Sequence, residues 1–499
     1  MPTPTDRTPG TKTIFGKVFS FPVMLGMFLV AGAVLTSRYR LPDPDLWNHI
    51  AIGREILATH TWSSTDHYSF TANGNESMVF EWMGSLAIAL AERVAGLRGL
   101  MGLLMGLSAL QILLIYYWAN QRCRNSKAAF VACLLTLPLV AAFFTLRPQL
   151  IGFSFLLITL ICLERFRQGH HRAVWLLPPL FLVWVNTHGS FMLGLLAVGL
   201  YFASGLVGFR WGGLTAVPWT PHERLRLEVV SLLSMLALTV TPYGTRVAGD
   251  TLHVLFNAPI GMSNITEYQP LGATGAELQI LLVLLLPFLL AQLVYRPVYR
   301  LDELAFLVAT LYGACVHSRL LFVFMLALIP LAAKLLARWV PPYEPGKDRP
   351  GLNLAMIALL GFALFRIFPS TTEIRKDVAE EFPAQAVAYL RQHPINVPML
   401  NDYGWGGYLN WTLQPEHKVF IDGRSQLYEE AGVYGDYLRI MSVDPQVQVL
   451  MRKYNLQACL ILRNSPLETF LAAQPDWQRV YSDKLSAILV RRPLAVSNR

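Results

Sequence analysis

Charge is scarce in this chain: Asp, Glu, Lys and Arg supply 15% of its 499 residues, against roughly 25% in a soluble domain. Apolar residues reach 54%, which excludes a soluble globule and calls for a membrane. Cysteine is sparse too. The five cysteines, Cys123, Cys133, Cys162, Cys315 and Cys459, are scattered without metal or redox spacing and read as small hydrophobes. A Gly-rich phosphate loop and a dinucleotide fingerprint are missing, so no motif is built to hold a soluble nucleotide. There is no internal repeat and no long low-complexity linker beyond WVPPYEPGKDRPG.

What the chain does hold is a series of apolar runs. A hydrocarbon core takes roughly 20 apolar residues per helix, and on that basis about eleven spans are expected. They fall near 18–37, 99–119, 127–145, 149–163, 173–187, 190–208, 228–242, 277–295, 303–316, 320–338 and 352–369. The stretch 82–97 is broken by Glu92 and Arg93 and reads as an amphipathic helix lying at the interface. The expected organisation is a cytoplasmic N-terminus (1–17), a transmembrane domain (18–369) with a first external loop (38–98), and a C-terminal α/β domain (370–499). Ala31-Gly32-Ala33 resembles a signal-peptide cleavage site, but its apolar run is long for one, so retention is expected.

Basic residues orient the spans, because cytoplasmic loops keep positive charge. Lys12, Lys17, Arg122, Arg124, Arg165, Arg167, Arg210, Arg296, Arg300, Arg338 and Lys347 all fall on one side. The C-terminal domain then lies outside the cytoplasmic membrane, in the periplasm if the cell is Gram-negative. The net charge of +9 is mostly topology, and nucleic acid is not an expected partner.

Composition changes at about 370 to a soluble pattern. A helix at 383–393, a strand VPML, a Gly-rich turn in NDYGWGGYL, a strand KVFIDGR (418–424), two helices, a strand QACLILR and closing strands near 477–491 imply a small α/β layer.

The joints on the outer side carry the chemistry: DPDLWNH, RPQ, NTHGS, TPYGTR with EYQP, and HSR. Asp45 opens a helix-like segment, where it is either an N-cap or a general base facing an acceptor hydroxyl. His49 follows one turn later, so Asp43, Asp45 and His49 are also a candidate set for a divalent metal such as Mg or Mn. Glu81 is a second acid on that side, with capping as the alternative. Arg147, His188 and Arg319, with Asn186 and His317, make a candidate phosphate-binding ring, since arginine offers phosphate a bidentate fork. Snorkelling to headgroups is the plainer reading of each arginine. Trp47, Trp82 and Trp184 serve either as sugar-stacking faces or as interfacial anchors.

DPDLWNHIAIGREIL, STDHYSFT, FEWMGSL, RPQL, NTHGSF, EYQP, HSRLLFVFML, YGWGGYL and FIDGRSQLY resemble a group of bacterial multi-spanning membrane proteins. Through it, nearly the whole chain resembles the GT-C superfamily of membrane glycosyltransferases. That resemblance implies an acidic residue in the first external loop acting on a sugar carried by polyprenyl phosphate. The role falls on Asp45, with Asp43 beside it and Glu81 as a possible second acid. No sequon-reading motif stands in the C-terminal domain, which argues against N-glycan transfer, and metal dependence stays open.

An external site without a nucleotide pocket also needs a donor that crosses the membrane on lipid. The expected reaction is direct displacement with inversion, Asp45 acting on the acceptor while Arg147, Arg319 and His188 stabilise the departing phosphate. Asp422 and Arg424 follow the presumed strand KVFI and, with Tyr403, are candidates to touch the acceptor, a glycan, lipid or protein; the alternative is a plain turn. A lipid-linked glycan flippase and a noncatalytic envelope-polysaccharide assembly protein are the competing classes.

Overall fold

The computed structural model describes residues 14–256, 269–272 and 275–492. Each of the eleven expected spans falls on a helix. Among the described residues, five helices are long and apolar enough to cross a membrane: Trp82–Cys123, Pro148–Arg167, Leu278–Tyr295, Ser318–Leu336 and Pro350–Ile367. Shorter apolar helices are Phe21–Ser37, Ser126–Ala141, Ala173–Val185 and Phe191–Ser204. Leu278–Tyr295 and Pro350–Ile367 leave most of their apolar side chains unburied, as expected where lipid covers them. A short helix, Arg246–Phe256, was not foreseen.

The long helix Trp82–Cys123 breaks at Ala95 and Gly96, where Gly96 takes a positive φ of 58°. The break separates the segment read as interfacial from the span beginning near 99. Val94 is 83% exposed just before it.

Acidic and basic side chains collect at both ends of the bundle. At the end away from the C-terminal domain, Glu164 accepts from Arg122 and Arg300 at 2.7 Å each. Asp302 lies 2.8 Å from Arg300, and Glu303 takes Arg122 and Lys334. Arg122 and Arg300, read above as topological charges, are therefore neutralised by three buried carboxylates.

The C-terminal part begins with Thr371–Glu381 and Ala384–Gln392. Small strands β1 (Phe209–Trp211), β2 (Leu214–Ala216) and β3 (Tyr299–Arg300) pair between helices of the bundle. The domain itself is a four-stranded sheet of β4 (Met399–Asn401), β5 (Ala458–Leu462), β6 (Trp477–Ser482) and β7 (Ser486–Arg491). Its order is β4-β5-β7-β6, with β4 and β5 parallel and the other pairs antiparallel.

One expectation fails here. KVFIDGR is not a strand of this sheet. Val419 exchanges backbone hydrogen bonds with Tyr68 and Phe70 of the first loop, at 3.1 and 3.0 Å. The Asn401 side chain substitutes for a strand partner, accepting from Phe420 N and donating to Ile421 O at 2.8 Å each. The expected Gly-rich turn of NDYGWGGYL is present at Gly404, in the single 3-10 turn Tyr403–Trp405, where Trp405 N donates to Asp402 O at 3.1 Å. Gly406 and Gly407 open the helix Gly406–Leu413, which packs along Pro44–Thr59.

Candidate active site

Pro44 occupies the first helical position of Pro44–Thr59, where its missing N–H costs nothing, and Asp43 caps the helix by accepting from Asp45 N at 3.0 Å. The capping alternative thus belongs to Asp43 and leaves the Asp45 carboxylate for other work. Arg147, which precedes Pro148–Arg167, donates from Nε to both Asp43 oxygens at 2.9 and 2.8 Å. Its Nη1 lies 3.0 Å from Asp45 Oδ2. The side chain of Asp43 is 5% exposed and that of Asp45 37%, so only Asp45 offers itself to a substrate. Burial raises the Asp43 pKa to about 6 against the pull of Arg147, with the Asp45 charge adding to the rise.

Glu81 sits at the start of the long helix but makes no capping hydrogen bond with its side chain. Its oxygens face two histidines instead, His49 Nε2 at 3.7 Å and His188 Nε2 at 3.4 Å. Burial and, secondarily, the Asp45 charge push its pKa up to about 8, opposed by Arg319 and Arg147. Glu81 is thus a carboxylic acid at neutral pH. Burial pushes His49 down to about 3, helped by Arg147, and His188 well below its usual value, helped by Arg319. His188, counted above as a cation, is neutral. Its Nδ1 accepts from Ser190 N at 2.9 Å, which leaves the proton on Nε2, aimed at Glu81. His49 Nδ1 meets Ser85 Oγ at 2.9 Å.

The metal set does not assemble. Arg147 bridges Asp43 and Asp45, His49 turns to Ser85 and Glu81, and among the described residues no three His, Cys, Asp or Glu side chains converge as ligands.

Asn186 is a clasp. Its Oδ1 accepts from Trp82 Nε1 at 2.7 Å, and its Nδ2 donates to Leu182 O and Val240 O at 2.9 Å. This ties the NTHGS joint to the helix that carries Glu81. Arg319 and His317 lie at the turn into Leu321–Leu336, with His317 N closing on Gly313 O at 2.8 Å. In TPYGTR, Tyr243 Oη donates to Ser63 O at 2.8 Å and accepts from Val79 N at 3.1 Å, and Arg246 pairs with Glu76, so this joint braces the first loop. Glu267 and Tyr268 of EYQP lie outside the described residues.

Asp422 and Arg424 are brought to the site's edge as a clamp, in which the Asp422 side chain is sealed from any acceptor. The Asp422 side chain is fully buried. It accepts from Arg424 Nε at 2.9 Å and Nη2 at 2.6 Å, from Tyr428 Oη at 3.0 Å and from Asn410 Nδ2 at 3.0 Å. Arg424 Nη1 continues to Asp66 of the first loop at 2.7 Å, and Asn410 to Asn48 at 3.2 Å. Arg424 holds the Asp422 pKa below the usual carboxylate range despite burial. The clamp seats Gly423 against Asp45: a Cβ there would lie 2.6 Å from Asp45 Oδ1. Tyr403 donates to Gly423 O at 3.2 Å, and its hydroxyl is raised by burial and by the nearby Asp45 charge. Asp66, Asn48, Ser85, Asn410 and Tyr428 were missed in sequence. They are ordinary polar residues in helix and loop, and only long-range pairing gives them a role.

The fold is similar to those of two solved structures. The Archaeoglobus fulgidus oligosaccharyltransferase, solved with a tethered acceptor peptide containing the NVT sequon, superposes with a TM-score of 0.54 at 12% identity, over 87% of this chain and 68% of that one. ArnT from Cupriavidus metallidurans, bound to undecaprenyl phosphate, superposes with a TM-score of 0.54 at 15% identity, over 96% of this chain and 98% of that one. No family model and no curated protein matches the sequence. The likeness is therefore one of fold.

Proposed function

We propose that the protein is an inverting membrane glycosyltransferase that moves a sugar from polyprenyl phosphate to an extracytoplasmic glycan, lipid or protein. The observation that carries this reading is the convergence of Asp43, Asp45, Arg147, Glu81 and His188 from three separate polar joints at one end of the bundle. A fold shared with a protein that holds undecaprenyl phosphate supports a lipid-borne donor. The reading includes about eleven spans in the inner membrane, with the C-terminal domain and the site outside.

In the proposed step, the half-exposed Asp45 carboxylate takes the proton of an acceptor hydroxyl as that oxygen attacks the anomeric carbon. The bond from that carbon to the phosphate oxygen breaks on the opposite side, and its electron pair leaves with polyprenyl phosphate. Arg147 and Arg319 supply positive charge for the developing phosphate. Protonated Glu81, oriented by His188 Nε2–H, supplies a hydrogen-bond donor without adding charge. Asp43 fixes Arg147, and its burial makes it a positioning group.

Purified protein given radiolabelled polyprenyl-phosphate sugars and membrane acceptors should release unlabelled polyprenyl phosphate and label the acceptor. Folded protein that turns over none of a broad donor panel refutes the reading in favour of transport or scaffolding.

A further inference from the structure

Three elements outside the spans line a hollow of about 270 Å³: the first-loop helix Pro44–Thr59 and, from the C-terminal domain, Ala384–Gln392 and Gly406–Leu413. None of the apolar helices of the bundle contributes to its wall. Its volume lies just under the roughly 300–1,000 Å³ of drug-sized ligand pockets, which suits a single sugar-sized group.

Two arginines reach it from different elements. Arg54 gives Nε and Nη2 to Glu92 at 3.1 and 2.6 Å and lays its guanidinium 5.5 Å from the centre of the Trp411 ring. Its Nη1 meets no hydrogen-bond partner among the described residues. Arg391 gives Nη2 to Thr412 O at 2.7 Å, which steadies the side chain and leaves its other nitrogens to the hollow. Glu92 stands outside the lining, and among the described residues no carboxylate lines it.

Tyr408 supplies an observation independent of the arginines. Its ring is stacked on Phe382 at 5.2 Å, meets Trp47 edge-on at 5.2 Å and touches Trp411 at 5.7 Å. The residue is only 6% exposed, yet it lines the hollow. With the sides of the ring taken, the hydroxyl end is what reaches that space. Among the described residues the hydroxyl makes no hydrogen bond. Burial raises its pKa against the pull of Arg391, so it stays a donor and stands close to that guanidinium. An unmet phenol donor beside two guanidiniums suits an oxyanion.

We propose that this hollow binds an anionic sugar of the acceptor, its carboxylate or phosphate oxygens taken by Arg391, Arg54 Nη1 and the Tyr408 hydroxyl. Val387 and the free edge of Trp411 supply an apolar wall for the sugar's C–H face. The oxyanion rests on the hollow alone; that its carrier is a sugar of the acceptor rests on the transfer reaction proposed above. Arg54 follows Asp45 by nine residues on one helix, about 13 Å of rise and roughly two and a half turns. The hollow is thus across that helix from Asp45 and holds a part of the acceptor remote from the attacking hydroxyl.

Full-length protein in detergent, without donor, would be titrated calorimetrically with glucuronate and with glucose 6-phosphate, glucose and inorganic phosphate serving as controls. One anionic sugar should bind about tenfold or more tightly than either control, and which one does so assigns the carboxylate or the phosphate. Tyr408→Phe, which keeps the packed ring, and Arg391→Gln should each weaken that binding about tenfold with Tm unchanged. Arg452→Gln, at an exposed arginine elsewhere on the C-terminal domain, should not. Equal binding by the wild type and both variants, inorganic phosphate held as tightly as either sugar, or no binding at all overturns the proposal. Because no turnover is read, binding that persists in a protein inactive with every donor would refute the transfer reaction and leave the oxyanion site standing.

Discussion

Replacing Glu81 with glutamine should make the protein more stable than wild type at alkaline pH and leave it unchanged near pH 5. Glu81 has its pKa raised from 4.5 to about 8, chiefly by burial. A raised folded-state value means that the folded protein holds the proton more tightly than the unfolded chain does. The stability linked to that proton is fully present below about 4.5 and is lost as pH rises through about 8. The shift sets a ceiling of about 5 kcal/mol. Because the side chain is 21% exposed, solvent screening reduces this to about 2–3 kcal/mol. Glutamine mimics the neutral acid, and its carbonyl oxygen can still accept from His188 Nε2–H. Thermal unfolding in detergent from pH 5 to 9 reads the difference. The Tm gap between Glu81→Gln and wild type should open by a few degrees between pH 5 and 9. A gap that is constant with pH, or that widens toward acid, refutes the assignment of Glu81 as a protonated acid.

Other expectations follow from the same geometry. In Gly423→Ala the new Cβ meets only the movable ends of Asp45 and Asn48, so Tm should shift little while turnover falls about a hundredfold through displacement of Asp45. Arg424→Ala strands the buried Asp422 and Asp66 carboxylates and should cost about 3–5 kcal/mol, a loss that adding Asp422→Asn partly restores. The profile of kcat/KM should be bell-shaped, rising through about pH 6 as Asp43 ionises and grips Arg147, and falling through about pH 8 as Glu81 loses its proton. Glu81→Gln should remove the alkaline limb alone, and an alkaline limb that survives in it contradicts the role given to Glu81.

The bundle was legible because hydropathy and basic joints encode it directly. Even the break at Ala95 and Gly96 was foreshadowed by Glu92 and Arg93 interrupting an apolar run. The site was partly legible, since Asp43, Asp45, Glu81, Arg147 and His188 stand at helix ends where charge is costly. Their division of labour was not. Which aspartate caps the helix and which faces solvent depends on Pro44 taking the first helical position and on Arg147 arriving from a distant joint. The neutrality of His188 comes from burial, which no local pattern reports. KVFIDGR reads as a strand on its alternation, but its partner is the Asn401 side chain and the first loop. Asp422 and Arg424 therefore form a clamp, where the sequence offered either an acceptor contact or a plain turn.

In the proposed mechanism Asp45, held by Arg147 and set against Gly423, acts on the acceptor. Sugar transfer from the preferred polyprenyl-phosphate donor should be measured for wild type and for Asp45→Asn, with folding matched by Tm. Transfer that falls by about a hundredfold or more in Asp45→Asn, with donor binding retained, is the predicted result. Equal rates in the two proteins would contradict the account and move catalysis away from Asp45.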